Sequence, residues 1–332
     1  MDFCFSSINQ TAPVKVAILN LEHVLASSII GIIDIFSITN TFCCCKGRSR
    51  YFEVTVIDID QTAKNFNTTI TFPSIQPDKS QTYDLIIVPP IINLEHNFNV
   101  SENLISWIRA MYQKGSYVCS VCIGAYILAG AGLLTGKKAT THWAVESKLR
   151  SEFPEIDLQI DKIIIEDDNI ITSGGVSTYV DLCLYIIRKF ISIDAAYKCA
   201  NYLVVDSGRT SQKPYKDLTI VASHNDMEIN RLVGWISTNY TKTFTIKTMA
   251  RKISLGERTF LRRFKKATGE LPNTFVQKVR VQKAKEFLVN TNESFESITE
   301  LVGYRNTSSF RRLFKEMTGL NPGEYRHSFM VQ

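Results

Sequence analysis

The sequence has no apolar run long enough to cross a membrane. A spanning helix needs roughly 18 to 20 apolar residues in succession, and the best stretch, Ile29 to Ile38, is short and broken by Asp34. Met1 to Gln10 shows no basic segment followed by an apolar one, so no secretion signal is read there. A cytoplasmic protein without membrane contact is expected. A cysteine framework is missing too. Eight Cys in 332 residues, three of them consecutive (Cys43, Cys44, Cys45), match neither a zinc knuckle nor a disulfide scaffold. Free thiols in a reducing compartment are expected. Cys119 and Cys122 form a C-x-x-C with no second pair, a weak metal or redox signal. Neither a metal nor a cofactor is expected.

What is there is length and an uneven charge. A chain of 332 residues, 45% hydrophobic, has material for two cores. The formal charge of +6 conceals an asymmetry. From Arg231 onward 19 Lys or Arg stand against 8 Asp or Glu, whereas the first 230 residues hold 19 against 24. A concentrated basic third is the electrostatic footprint of a nucleic-acid binder, although a solvated basic face gives the same count.

The first two thirds alternate between strand and helix signals. Val14 to Leu19 and Asp84 to Val88 are short apolar runs, as buried parallel strands are, the second stopped by Pro89-Pro90. Phe52 to Ile59, Tyr117 to Val121, Lys162 to Glu166 and Ile170 to Thr172 add strands, with Asp167-Asp168-Asn169 as a turn. Helical patterns run over Ile29 to Ile38, Glu102 to Gln113, Ile123 to Ala131, Thr178 to Phe190 and Asp194 to Val205. This order predicts a doubly wound α/β sheet over 12–192. Residues 193–225 read as a helix and a polar linker, Asp206 to Asp217, and 226–332 as an all-helical domain. The apolar stripes on 102–113 and 194–205 are either core or a dimer face.

The helical third contains a repeat. Thr259 to Phe275 (TFLRRFKKATGELPNTF) returns fifty residues later as Ser309 to Tyr325 (SFRRLFKEMTGLNPGEY). Phe260 and Phe264 match Phe310 and Phe314, Arg262 matches Arg312, Lys265 matches Lys315, Thr268-Gly269 matches Thr318-Gly319, and Pro272 matches Pro322. Phenylalanines four apart share one helix face and build a small core. The glycine ends the helix and the proline forbids its continuation. Short helices precede both, Ile246 to Ile253 and Phe295 to Leu301, with turns at Ser254-Leu255-Gly256 and around Gly303. Each unit is therefore a helix-turn-helix. The helix expected between them, Pro272 to Val289, spans ~27 Å, close to one ~34 Å turn of B-DNA.

Gly303-Tyr304, Ser309-Phe310, Phe314-Lys315, Thr318-Gly319, Pro322 and Tyr325-Arg326 resemble the signature of AraC-type regulators, over about Met227 to Phe329. The resemblance implies that the second helix of each unit enters a major groove of double-stranded DNA. Glu257, Arg258 and Arg262, with Asn306, Thr307, Ser308 and Arg311, are then the candidates for base contact. Lys252, Lys265 and Lys315 are candidates for phosphates.

In the first domain, Cys122 stands between a strand and a helix in SVCIGAY, the elbow geometry of many α/β enzymes. Cys122, Gly124-Ala125, Ala131 to Leu134, Gly136 and Thr140 to Trp143, with Ser173-Gly174-Gly175 and Asp181, resemble the PfpI and class I glutamine-amidotransferase-like superfamily, with its flavodoxin-like fold. Catalytic relatives pair the cysteine with a histidine, here His142, and many add a glutamate near the first strand. Ser28 stands at that place, and Glu22 is at the wrong offset. Pro89-Pro90 occupies the position of a Gly-Gly whose N–H helps hold an oxyanion, and proline has no N–H. The expectation is a ligand-binding relic of a catalytic site, formed by Ser28, Pro90, Cys122, Ile123, His142 and Ser173. A Cys-dependent amidase or peptidase, and a thiol redox sensor, are the competing readings.

Both resemblances occur together in GlxA-like regulators of the AraC family, in this order. That implies a homodimeric transcription regulator that senses a small-molecule effector, binds DNA, and has RNA polymerase as a further partner.

Overall fold

The computed structural model describes residues 12–42, 51–60, 72–77, 81–92, 100–219 and 225–330. The consecutive Cys43 to Cys45 lie outside them. The chain divides into two compact units, 1–212 and 213–332.

Among the described residues the first unit has a six-stranded sheet flanked by helices. Its elements are β1 (Val14–Leu19), α1 (Ala26–Phe42), β2 (Phe52–Ile57), β3 (Leu85–Val88), α2 (Glu102–Gln113), β4 (Tyr117–Val121), α3 (Ala125–Gly130), β5 (Lys138–Ala139), α4 (Glu146–Glu152), β6 (Asp157–Leu158), β7 (Ile164–Asp167), β8 (Ile170–Ser173), α5 (Tyr179–Phe190) and α6 (Ile193–Leu203). The strand order is β2-β1-β3-β4-β8-β7, parallel throughout except for β7, which runs antiparallel to β8. β5 and β6 form a separate two-stranded ribbon. This is the doubly wound, flavodoxin-like arrangement read from the sequence. β3 and β8 are buried at every position, because helices cover both faces of a parallel sheet.

The expected linker is not solvated throughout. α6 buries Ala195, Cys199 and Ala200 in the core of the first unit. Beyond it, the Ile163 N–H donates to the Thr210 carbonyl and the Gln212 N–H to the Asp161 carbonyl. Gln212 is 3% exposed. Its Nε2 lies 2.8 Å from the Thr141 carbonyl and 3.2 Å from both Thr140 Oγ1 and the Lys162 carbonyl. Gly174 makes room for it: a Cβ there would fall 2.1 Å from Gln212 Nε2. A polar composition cannot distinguish such an inserted amide from a hydrated one.

The second unit is helical: α7 (Met227–Asn239), α8 (Ile246–Lys252), α9 (Glu257–Thr268), α10 (Pro272–Asn290), α11 (Phe295–Leu301), α12 (Thr307–Thr318) and α13 (Pro322–Phe329). Caps define their starts. Asp226, Thr245, Ser294, Asn306 and Asn321 each accept a backbone N–H of the first turn, and Pro272 and Pro322 occupy the position where a missing N–H costs nothing. There are two cores. Ile229, Leu232, Ile236, Met249, Phe260, Phe264 and Phe275 form one, and Ile298, Val302, Phe310, Phe314 and Tyr325 belong to the other. α10 serves both, giving Phe275, Val276 and Val279 to the first and Val281, Ala284 and Leu288 to the second. At ~1.5 Å per residue its 19 residues span ~28 Å.

Candidate nucleic-acid interface and elbow site

The two helix-turn-helix units share one construction. Rings of Phe260 and Phe264 meet at 5.6 Å, and Phe264 meets Phe275 at 5.8 Å. In the second unit Phe295 packs on Phe310 at 5.6 Å and on Phe314 at 5.9 Å. Both second helices end on the same cap. Thr268 Oγ1 donates to the Phe264 carbonyl and Thr318 Oγ1 to the Phe314 carbonyl, each at 2.8 Å. Gly269 (φ +81°) and Gly319 (φ +78°) then turn left-handed. The repeated Thr-Gly pair is thus a helix stop. The copies differ in the turn: four residues separate α8 from α9, five separate α11 from α12. Ser254 takes the left-handed conformation in the first turn (φ +56°) and Gly303 in the second (φ +81°).

With the phenylalanines turned inward, the opposite faces of α9 and α12 carry charge. Glu257, Arg258, Arg262 and Lys265 are exposed on α9, and Ser308, Arg311 and Lys315 on α12; Thr307 is half-buried. Lys252, at the end of α8, holds its ammonium 5.0 Å over the Trp235 ring. Two candidates are already engaged. Asn306 Oδ1 accepts the Ser309 N–H at 2.8 Å as the α12 cap. Arg311 donates to Glu296 Oε1 at 2.9 Å, with its guanidinium 5.0 Å over Phe295. Arg312, the repeat partner of Arg262, is exposed as well and joins this face, and the fifty-residue repeat is the sequence signal that marks it. Arg263 faces elsewhere: its fork donates to both Asp226 oxygens at 2.9 and 2.7 Å, tying α9 to the start of α7.

In the first unit Cys122 directly follows β4 and has a left-handed backbone (φ +58°), which no side chain adopts without strain. A tight turn, Cys122–Gly124, leads into α3. Gly124 is pressed against the end of β3, where a Cβ would meet the Pro89 carbonyl oxygen at 3.1 Å. The Pro90 carbonyl accepts the Leu25 N–H at 3.0 Å. Burial pushes the Cys122 thiol up to about 12, only partly offset by the Ile123 N–H. His142 is half-buried, and burial lowers its pKa. Its Nδ1 accepts the Ala144 N–H at 3.1 Å, and its ring lies 4.9 Å from that of Trp143. Ser28, Pro90, Ile123 and Ser173 are all buried. The Ser28 hydroxyl donates to the Leu25 carbonyl (2.6 Å), and the Ser173 hydroxyl to the Ser120 carbonyl (3.2 Å). The loop bearing His142 is joined to the elbow through the Thr141 hydroxyl, which donates to the Cys122 carbonyl at 2.8 Å. Cys119 lies buried in the sheet, and burial raises its pKa as well.

Comparison with known proteins accords with this division. A DJ-1/PfpI family model matches residues 48–189, and a helix-turn-helix domain model matches 249–328. The HTH-type transcriptional regulator GbdR of Pseudomonas aeruginosa is 22% identical over 255 residues, which cover 76% of this chain and 69% of GbdR. The regulator CdhR of the same species is 23% identical, with 68% of each chain covered. An isonitrile hydratase of Pseudomonas putida is 34% identical over 96 residues, 29% of this chain and 40% of that enzyme. A crystal structure of a candidate transcriptional regulator from Vibrio parahaemolyticus superposes with a TM-score of 0.52 at 23% identity, covering 58% of this chain and all of that one. No described helix is long and apolar enough to cross a membrane. The chain is thus similar to DJ-1/PfpI proteins in its first unit and to helix-turn-helix transcriptional regulators in its second, and it is similar over most of its length to the regulators GbdR and CdhR.

Proposed function

We propose that α9 and α12 each enter a major groove of double-stranded DNA, and that the α/β unit sets their affinity in response to a small molecule. The observation that carries this is the duplicated helix-turn-helix, whose buried phenylalanines leave a row of exposed Arg and Lys on both second helices. Arg258 and Arg262, with Glu257, read bases from α9. Thr307, Ser308, Arg311 and Asn306 do so from α12, where Asn306 has its amide nitrogen to offer and Arg311 must leave Glu296. Lys252, Lys265 and Lys315 hold phosphates.

The effector site is the elbow region around Ser28, Pro90, Cys122, Ile123, His142 and Ser173, at the carboxyl ends of the strands, where doubly wound sheets bind ligands. The chemistry there is that of a receptor. A thiol held at about 12 is protonated at neutral pH. Pro89 and Pro90 have no N–H to give an oxyanion, a loss worth about 10²–10³ in rate in known enzymes. The neutral thiol and neutral imidazole favour an uncharged end of a metabolite. Its binding changes DNA affinity only as far as it prefers one pose of the regulator. A cytoplasmic homodimer that contacts RNA polymerase completes the reading. Ile193 (72% exposed), Tyr197 and Tyr202 on α6, with the Phe42 ring tilted against that of Tyr202 at 4.5 Å, offer an apolar face for the second copy.

The test is selection of random duplex DNA by the full-length protein, followed by titration on the enriched sequence. A defined motif is expected, with log affinity falling linearly in log salt. Arg262→Ala should cost about 1–3 kcal/mol on that motif and much less on unrelated DNA. Failure to enrich any sequence, with and without cell extract as a source of effector, overturns the reading.

A further inference from the structure

The exposed faces of α9 and α12 do not explain Arg280. This residue lies on α10 between Val279, which packs into the first core, and Val281, which packs into the second. Its side chain is half-buried and meets no acid among its described partners. Instead Nε donates to the Tyr240 carbonyl and an Nη donates to the Lys242 carbonyl, each at 2.8 Å. Tyr240 is the C-cap of α7, where a helix has acceptors left without intrahelical donors, and Lys242 lies in the turn that follows. The same guanidinium lies 5.1 Å over the Tyr304 ring, in the turn between α11 and α12. Tyr304 in turn stacks on Phe310 of α12, with ring centroids 4.4 Å apart. The neighbouring Gly303 is pressed on the α7 end as well: a Cβ there would fall 2.5 Å from the Thr241 carbonyl oxygen and 2.8 Å from its Cα.

Two chains of contact therefore meet at one side chain. From Arg280 one runs through Tyr304 and Phe310 to α12. The other runs through the end of α7 to α9, which α7 holds through the shared core and through Asp226 with Arg263. Each unit packs its own core on α10, so that helix sets the angle between them unless a further contact ties them together. A planar fork that takes two backbone carbonyls and an aromatic face is such a tie.

We infer that Arg280, seated against Gly303, is a positioning residue that fixes the angle between the two recognition helices and so the spacing of DNA half-sites the protein accepts. The inference rests on the DNA-binding reading above. Arg280 need not touch DNA: it selects spacing, whereas the exposed residues of α9 and α12 select sequence. Inserting one base pair between half-sites rotates one against the other by about 35° and lengthens the span by about 3.4 Å.

Two measurements on the full-length chain test it. On the selected DNA motif, one inserted base pair should weaken native protein at least about tenfold, a loss on the scale of a mismatched base pair. Arg280→Lys keeps the charge but not the fork. It should bind the motif more weakly while the penalty for the insertion shrinks to about threefold or less. Gly303→Ala should act in the same direction. An unchanged penalty in a variant with native helix content overturns the inference and leaves the DNA-binding reading intact. The second measurement needs no DNA. Spin labels on keto amino acids replacing exposed Lys266 and Glu316, near the ends of α9 and α12, should give one narrow distance distribution in the native background and a clearly broader one with Arg280→Lys. Equal widths overturn the inference even if no DNA motif is found.

Discussion

Gly174→Ala is the sharpest test of how the first unit is closed. Gly174 is not in the left-handed region, so the obstacle to a side chain is space alone. The added methyl would lie 2.1 Å from Gln212 Nε2 and 2.7 Å from the Thr141 carbonyl oxygen. The amide can leave, but the carbonyl is backbone and can yield only a few tenths of an ångström. Expelling Gln212 forfeits its contacts to Thr141, Thr140 and Lys162, of which two count as full hydrogen bonds, for about 1–3 kcal/mol net. Overpacking against Thr141 adds about 1–3 kcal/mol. The variant should lose roughly 2–6 kcal/mol, which lowers the melting temperature of a unit of this size by about 4–24 °C. Gln212→Ala alone should cost only about 1–2 kcal/mol, since it also removes a buried Oε1 that has no partner among the described residues. Calorimetry of the full chain, read on the transition that Gly174→Ala moves, supplies both numbers. The double variant should be less destabilised than the two singles together by at least about 1 kcal/mol, because the nearest obstacle is the Gln212 amide itself. Additivity to within about 0.5 kcal/mol would refute the reasoning.

Alkylation of Cys122 should be slow at pH 7.5 and rise about tenfold per pH unit toward its pKa of about 12, as mass spectrometry of the modified peptide would report; fast labelling near pH 7 would restore the redox and enzyme readings. Lys285 is held at about 8 by burial, against 10.5 for a free ammonium, so between those values the unfolded chain binds more protons. Its contribution to stability is lowest below pH 8 and grows as pH rises to about 10.5. Unfolding of native protein against Lys285→Met should show the difference shifting in favour of the native chain over that window, and no shift would place the lysine in water. Asp226→Ala removes the α7 cap and the anchor of Arg263, and should cost at least the ~1 kcal/mol of a lost N-cap in chemical denaturation.

The legible parts of the molecule were those with local causes. VKVAIL and DLIIV are short apolar runs of the kind buried parallel strands show, and the repeated Phe-x-x-x-Phe and Thr-Gly state a helix face and its stop. The elbow was readable because Cys122 sits between a strand and a helix. What escaped depends on distant partners. Arg280 is one more basic residue on a helix until the carbonyls of Tyr240 and Lys242, some forty positions away, are seen to meet it. Any residue type presents a carbonyl, so no sequence pattern marks them. Gln212 escaped because its partners are likewise backbone and hydroxyl oxygens, and the two-residue strands β5 and β6 are too short to alternate. The pocket residues were named from resemblance, and the serine hydroxyls among them turned out to be bonded within the fold.

The extra residue in the second turn has a bearing on genome reading. Because α11 and α12 are joined by five residues where α8 and α9 are joined by four, and because Glu257 and Arg258 stand at the repeat positions of Thr307 and Ser308, the two halves are not interchangeable. One chain on DNA has a front and a back. If the proposed DNA reading holds, each chain's share of the motif is a directed word and not a palindrome, and a site copied in reverse beside a promoter presents the opposite end of that chain to the transcription start.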